Sequence, residues 1–135
     1  MTSFRKLLAV RRESVLAALE EVQEFLSGCD LTARTRHVVE LAAEELLSNV
    51  SKYAYPDGEP GEAELVVDVR AEGIRLEVSD SGRPFDPTAV PPPPPPSLDA
   101  APGGRGLLLV RGLAASMRYR RDGTRNVLVV EFPAP

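Results

Sequence analysis

Glu45 and Asn49 are the first residues in this chain that demand a chemical explanation. They stand four apart in a stretch whose apolar residues recur at helical spacing, so a helix would stack them on one stripe. At about 100° per residue, an apolar arc runs from Leu41 through Val38, Ala42, Leu46, Val39, Val50 and Ala43 to Leu47. Glu40, Glu44, Ser48 and Ser51 fall on the opposite side, whereas Glu45 lies between Leu41 and Val38 and Asn49 between Val38 and Ala42. A carboxylate and an amide at the rim of an apolar face must be hydrogen-bonded or must bind something. A buried cap or network meets that requirement as well as a ligand does.

Asp80 poses the same question in a strand. Residues of even number from Ile74 to Val78 face the core, and Asp80 keeps that parity where the strand runs out into Ser81-Gly82-Arg83-Pro84. An aspartate at a strand end can simply form the turn. Pointing inward, it can also accept a hydrogen bond from an exocyclic amine such as that of adenine. Further on, Gly103-Gly104-Arg105-Gly106 opens a helix, which would bring backbone N–H groups and the positive end of a helix dipole to one place, as a phosphate requires. Glycines after a proline-rich stretch can also merely end a loop. The motif is neither a P-loop nor a Rossmann turn.

The elements that must position these residues follow from periodicity. Leu7 to Val10 suits a short strand, and Glu13 to Leu26 a helix closed by Gly28. Thr32 is a candidate N-cap for a second helix reaching about Ser51, after which Pro56, Gly58, Pro60 and Gly61 break the chain. Leu65, Val67 and Val69 alternate with polar residues, as do Ile74, Leu76 and Val78, and the short Ala71-Glu72-Gly73 link makes the two an antiparallel hairpin. Pro84 to Pro102, with six consecutive prolines from Pro91, is expected to hold neither helix nor central strand. A third helix is expected from Leu107 to Ala115, then strands near Met117 to Arg121 and Val127 to Phe132, with the turn at Asp122-Gly123. This order predicts an α+β fold, a two-layer sandwich of helices on a mostly antiparallel mixed sheet.

With 135 residues, 43% of them apolar and 27% charged, the whole chain, residues 1–135, is read as a single domain. One cysteine, Cys29, and one histidine, His37, offer no zinc-type ligand set. The apolar run Leu7 to Val10 is too short for a signal peptide core or a membrane span, so a cytoplasmic protein is expected. A net charge of −4 and the lack of a basic stripe interleaved with aromatics argue against direct nucleic-acid binding. The cluster Arg118, Arg120 and Arg121 is read as a solvated strand edge.

The three polar features, in this order, resemble the histidine-kinase-like ATPase superfamily and, within it, the anti-sigma-factor serine/threonine kinases. Leu41-Ala-Ala-Glu-Glu45-Leu-Leu-Ser-Asn49 is similar to the first box of that family, Asp80-Ser-Gly82-Arg-Pro84-Phe85-Asp-Pro87 to the second, and Gly103-Gly104-Arg105-Gly106-Leu107 to the third. Asp122-Gly-Thr124-Arg-Asn126 stands where the family has a late glycine turn.

The resemblance implies ATP and Mg2+ as cofactors, with Asn49 coordinating the magnesium and Asp80 binding the adenine amino group. Gly82 would give the base room, and Pro84 and Phe85 would lie beside the nucleotide. Gly104, Arg105, Gly106 and Leu107 would cradle phosphates, Lys52 and Tyr53 would lie near phosphates and nucleoside, and Thr124 would be a further contact. Glu45 would be the catalytic base. The implied partners are a STAS-type anti-sigma-factor antagonist, phosphorylated on serine or threonine, and an RNA polymerase sigma factor, with the protein a homodimer. The sequence departs from the family in its lid, about residues 87–102, where prolines make a stiff segment that would hinge around Pro87 to Val90 and Ala101 to Gly104, or serve as a spacer or an aromatic-groove ligand. Rival readings are a nucleotide-dependent binding module without kinase activity, and an orphan ATPase domain of a two-component system. His37 reads as a helix-surface residue, since no acceptor box comes after it.

Overall fold

The computed structural model describes residues 2–56, 61–89 and 110–133. Along the chain lie β1 (Thr2–Ala9), α1 (Arg12–Ser27), α2 (Ala33–Asn49) with a π-helical continuation Val50–Ala54, β2 (Glu62–Arg70), β3 (Gly73–Asp80), a single 3-10 turn Pro87–Ala89, β4 (Ser116–Asp122) and β5 (Arg125–Pro133). Residues 110–113 are helical, the described part of the expected third helix. The α+β sandwich is as the pattern predicts. Every pairing in the five-stranded sheet, ordered β1-β2-β3-β5-β4, is antiparallel, so the expected mixed character is not found among the described strands.

Both helices form on apolar stripes, and they differ in how they start. Thr32 caps α2, its hydroxyl oxygen accepting the Thr35 N–H at 3.1 Å, a contact worth about 1 kcal/mol. Arg11 gives α1 no side-chain cap, so α1 depends on packing: Val22 and Leu26 are fully buried, and Phe25 meets Phe4 of β1 with ring centroids 5.6 Å apart. β1 is longer than the sequence implies because Thr2 to Lys6, though polar on one face, complete the ladder against Val69 to Leu65. The proline-rich region was expected to exclude helix, yet Pro87–Ala89 makes one 3-10 turn. Asp86 Oδ1 accepts both the Thr88 N–H and its hydroxyl, which holds the chain in that turn.

The strand register sets side chains in rows across the helix-facing side. One row runs Val67, Leu76, Val130, Met117, and the next Leu65, Val78, Leu128, Tyr119. Leu46 and Leu47 of α2 belong to the same core. Each fully buried Leu or Val contributes about 1.5–3 kcal/mol, so these rows fix the register of the row after them: Ala63, Asp80, Asn126, Arg121. The core thus delivers two polar side chains, Asp80 and Asn126, to the end of the sheet beside the π turn.

Candidate functional site

Asp80 and Asn126 are buried, at 4% and 5% exposure, and both lie against a small cavity that Asn49, Leu46, Val50, Phe85, Pro87 and Tyr119 also line. Asp80 Oδ1 accepts the Gly82 N–H at 2.8 Å and Asn126 Nδ2 at 2.9 Å. Both bonds end on one oxygen, which leaves Oδ2 as the acceptor available to a ligand. Asn126 Nδ2 also donates to the Arg83 carbonyl at 2.8 Å. Its Oδ1 accepts from Tyr119 Oη at 2.6 Å, Arg121 Nη1 at 3.0 Å and the Phe85 N–H at 3.3 Å. Arg121 Nη1 also reaches the Gly82 carbonyl at 2.9 Å. Arg121 therefore corrects the reading of its cluster as simply solvated: it braces the turn after β3, while Arg118 pairs with Glu131 on the exposed face.

Asn49 enters from α2. It is 9% exposed, and its Nδ2 has no hydrogen-bond partner. A buried donor left in that state costs about 1–3 kcal/mol. Glu45, one turn earlier, is half-buried and has no hydrogen bond or ion pair among the described residues. Glu44 and Ser51 are exposed as the helical wheel requires, although Glu40 and Ser48 are partly covered. His37 is exposed on the same helix.

The π-helical turn after Asn49 carries α2 past its expected end and into contact with the Asp80 turn. Arg83 N–H donates to the Ala54 carbonyl at 3.0 Å. The approach is so close that a Cβ on Gly82 would lie 2.4 Å from that oxygen. The absent side chain of Gly82 thus makes room for the Ala54 backbone. Tyr55 spans the same junction, donating its hydroxyl to the Glu62 carbonyl at 2.9 Å and accepting the Ser81 N–H at 3.0 Å. Burial, more than the neighbouring Asp80 charge, pushes the Tyr55 phenol above its ordinary 10.0.

Tyr53 lies outside the cavity and stacks on Phe85, with ring centroids 4.5 Å apart and planes at 20°. Together they form an aromatic lip. Pro84 and Lys52 are exposed, Lys52 beside Arg11, Arg12 and Ser48 on a neighbouring groove. Thr124 does not join the cluster: it is an exposed turn residue, and the register sets Asn126 across from Asp80. Gly104, Arg105, Gly106 and Leu107 lie outside the described residues, as does most of the proline-rich segment. Its entrance is anchored, with Pro87 buried and its carbonyl accepting from Arg111.

Tyr119 and Tyr55 carry no weight in a motif-based reading, and Asn126 enters it only as the end of the late glycine-turn segment, with no contact assigned to it. Asn126 was within reach of the parity argument, because Leu128, Val130 and Phe132 share its face. For a metal, the described residues contain no group of three His, Cys, Asp or Glu side chains that could hold an ion. The unpartnered Asn49 Nδ2 is a donor and suits a phosphate oxygen; only Asn49 Oδ1 could face a cation, and one amide oxygen fits an ion that takes most of its ligands from phosphates and water, as Mg2+ does.

The class is thus an α+β domain with a cavity between one helix and the end of an antiparallel sheet. A model of the histidine kinase-like ATPase domain matches residues 8–132, and the chain belongs to that family. Serine/threonine-protein kinase BtrW of Bordetella bronchiseptica is 36% identical over 107 residues, covering 77% of this chain and 75% of that protein. Among solved structures, the RsbU and RsbW domains of a Mycobacterium tuberculosis protein superimpose with a TM-score of 0.70 at 12% identity, over 99% of this chain and 33% of that one. The histidine kinase domain of a blue-light activated kinase from Erythrobacter litoralis gives 0.58 at 21% identity, over 89% and 59%. At these identities the two structures speak for the fold alone. No helix among the described residues is long and apolar enough to cross a membrane.

Proposed function

We propose that this chain is an ATP- and Mg2+-dependent serine/threonine protein kinase that acts as an anti-sigma factor, phosphorylating a STAS-type antagonist and sequestering an RNA polymerase sigma factor as a homodimer. The observation that carries the reading is the pairing of an unsatisfied helix residue, Asn49, with a strand carboxylate, Asp80, on one cavity. The 36% identity to a named serine/threonine kinase favours transfer to protein over a two-component role.

Asp80 Oδ2 takes the adenine amino group, while Oδ1 stays fixed on Gly82 and Asn126. Phe85 and Tyr53 cover the base from the cavity's mouth. Asn49 would hold a magnesium ion through its Oδ1, and the ion when bound would supply charge neutralisation for the phosphate oxygens. Glu45 orients the attacking hydroxyl and takes its proton. A half-buried carboxylate with no partner among the described residues is free for that work. Phosphate added to the antagonist brings charge that disfavours its docking, leaving sigma to bind.

Incubation with labelled ATP, magnesium and a STAS protein should move label to a serine or threonine of that protein. Tight ATP binding without transfer would leave the nucleotide-dependent binding module in its place.

A further inference from the structure

We propose that Asn126 is the positioning residue of the nucleotide site: it spends one oxygen of Asp80 inside the protein, aims the other at the base, and ties that carboxylate to the segment covering the cavity. The inference rests on the reading of Asp80 as the group that accepts the adenine amine.

The amide has one allowed orientation. Its Oδ1 faces the Phe85 N–H and the Arg121 guanidinium, which can only donate, and the Tyr119 hydroxyl completes the set. The NH2 end must therefore point at the Asp80 carboxylate and the Arg83 carbonyl. With every capacity of Asn126 filled, rotation of its side chain would break five hydrogen bonds. Asp80 is pinned by the same bond, since the Gly82 N–H and Asn126 Nδ2 both hold Oδ1. Arg83 and Phe85 are backbone partners on the turn that leads to the buried Pro87. The base-reading carboxylate and the first covering residues therefore move as one piece, with Asn126 as the pin.

An Oδ2 held in acceptor geometry favours a purine with a 6-amino group over one with a 6-oxo group, whose lone pairs would face the carboxylate. The readout is the ratio of the dissociation constants of ITP and ATP. In the unaltered protein ATP should bind about tenfold or more tightly than ITP, the value of a hydrogen bond to a charged group. Asn126→Ala should bring the ratio close to one, chiefly by weakening ATP. A merely structural role would weaken both nucleotides alike and leave the ratio standing. Because Asn126→Ala strands several buried partners and endangers folding, Tyr119→Phe is the second variant: it removes one donor to Oδ1, and the ratio should fall to an intermediate value with melting close to that of the parent. A preserved ratio in folded Asn126→Ala, or in Tyr119→Phe if the alanine variant does not fold, overturns the positioning role and leaves the base reading intact. An unaltered protein that binds ITP and ATP equally removes the base reading, and this proposal with it.

Discussion

Asp80 and Asn49 face the same cavity, one from the sheet and one from the helix, and their surroundings treat them differently. On the sheet side hydrogen bonds tie Asp80, Asn126, Tyr119 and Arg121 into one set, and Asp80 Oδ2 is the one acceptor of Asp80 and Asn126 left open among the described residues. On the helix side Asn49 has a buried nitrogen without a partner, and Glu45 one turn away has none among the described residues. The sheet side is a finished template that holds its shape without a ligand. The helix side keeps an arrangement that costs the fold about 1–3 kcal/mol, as expected of groups retained for chemistry rather than for stability.

Glu45→Gln tests that contrast most severely. Phosphoryl transfer should fall about 10²- to 10⁴-fold while ATP affinity stays put, measured by label transfer and calorimetry on the same preparation. An equal loss in both would move Glu45 out of the chemical half. On the template side, Asp80→Asn should weaken ATP binding by about ten- to a hundredfold; unchanged affinity would take the base away from Asp80.

Stability should separate the two walls by sign. Asn49→Leu removes an unpaired buried amide, so the protein should melt higher, by the equivalent of about 1–3 kcal/mol, while losing magnesium-dependent ATP binding. Gly82→Ala drives a methyl group into the Ala54 backbone and should destabilise by about 1–3 kcal/mol. If both variants melt lower, the helix wall is structural after all.

The smallest effect belongs to Tyr55→Phe, which deletes a half-exposed bridge between Glu62 and Ser81 worth about 1 kcal/mol. The folded protein keeps the phenol protonated beyond its ordinary 10.0. The tyrosine's contribution is therefore whole below pH 10.0 and fades as pH climbs through the raised value. Denaturation curves of parent and variant should converge in strong alkali.

Much of this was legible because the sequence has clean periods. The helical wheel of α2 singled out Asn49, and strand parity singled out Asp80, since both depend on where apolar neighbours point. Asn126 obeys the same parity on β5, but nothing local distinguishes its turn-like Thr-Arg-Asn context until the pairing Asp80 to Asn126 is known. The role of Arg121 is likewise non-local, because it depends on the Gly82 carbonyl, 39 residues away in sequence. The 3-10 turn at Pro87 escaped a rule about proline in long helices, which does not bar one turn. The π-helical turn could not be read from apolar spacing, which continues smoothly from Leu46 through Val50.

That turn makes the chain sensitive to length rather than to identity. Val50–Ala54 coil one residue wider than an α-helix, and the extra residue sets the phase of the chain beyond it. Deleting Glu44, an exposed residue on the regular α-helical part before that turn, would rotate the residues beyond by about 100°. Ala54 would leave the Arg83 N–H, and Tyr53 would leave Phe85. Substitutions at that position are tolerable; an indel there would dismantle the site while leaving each of its named residues in the sequence.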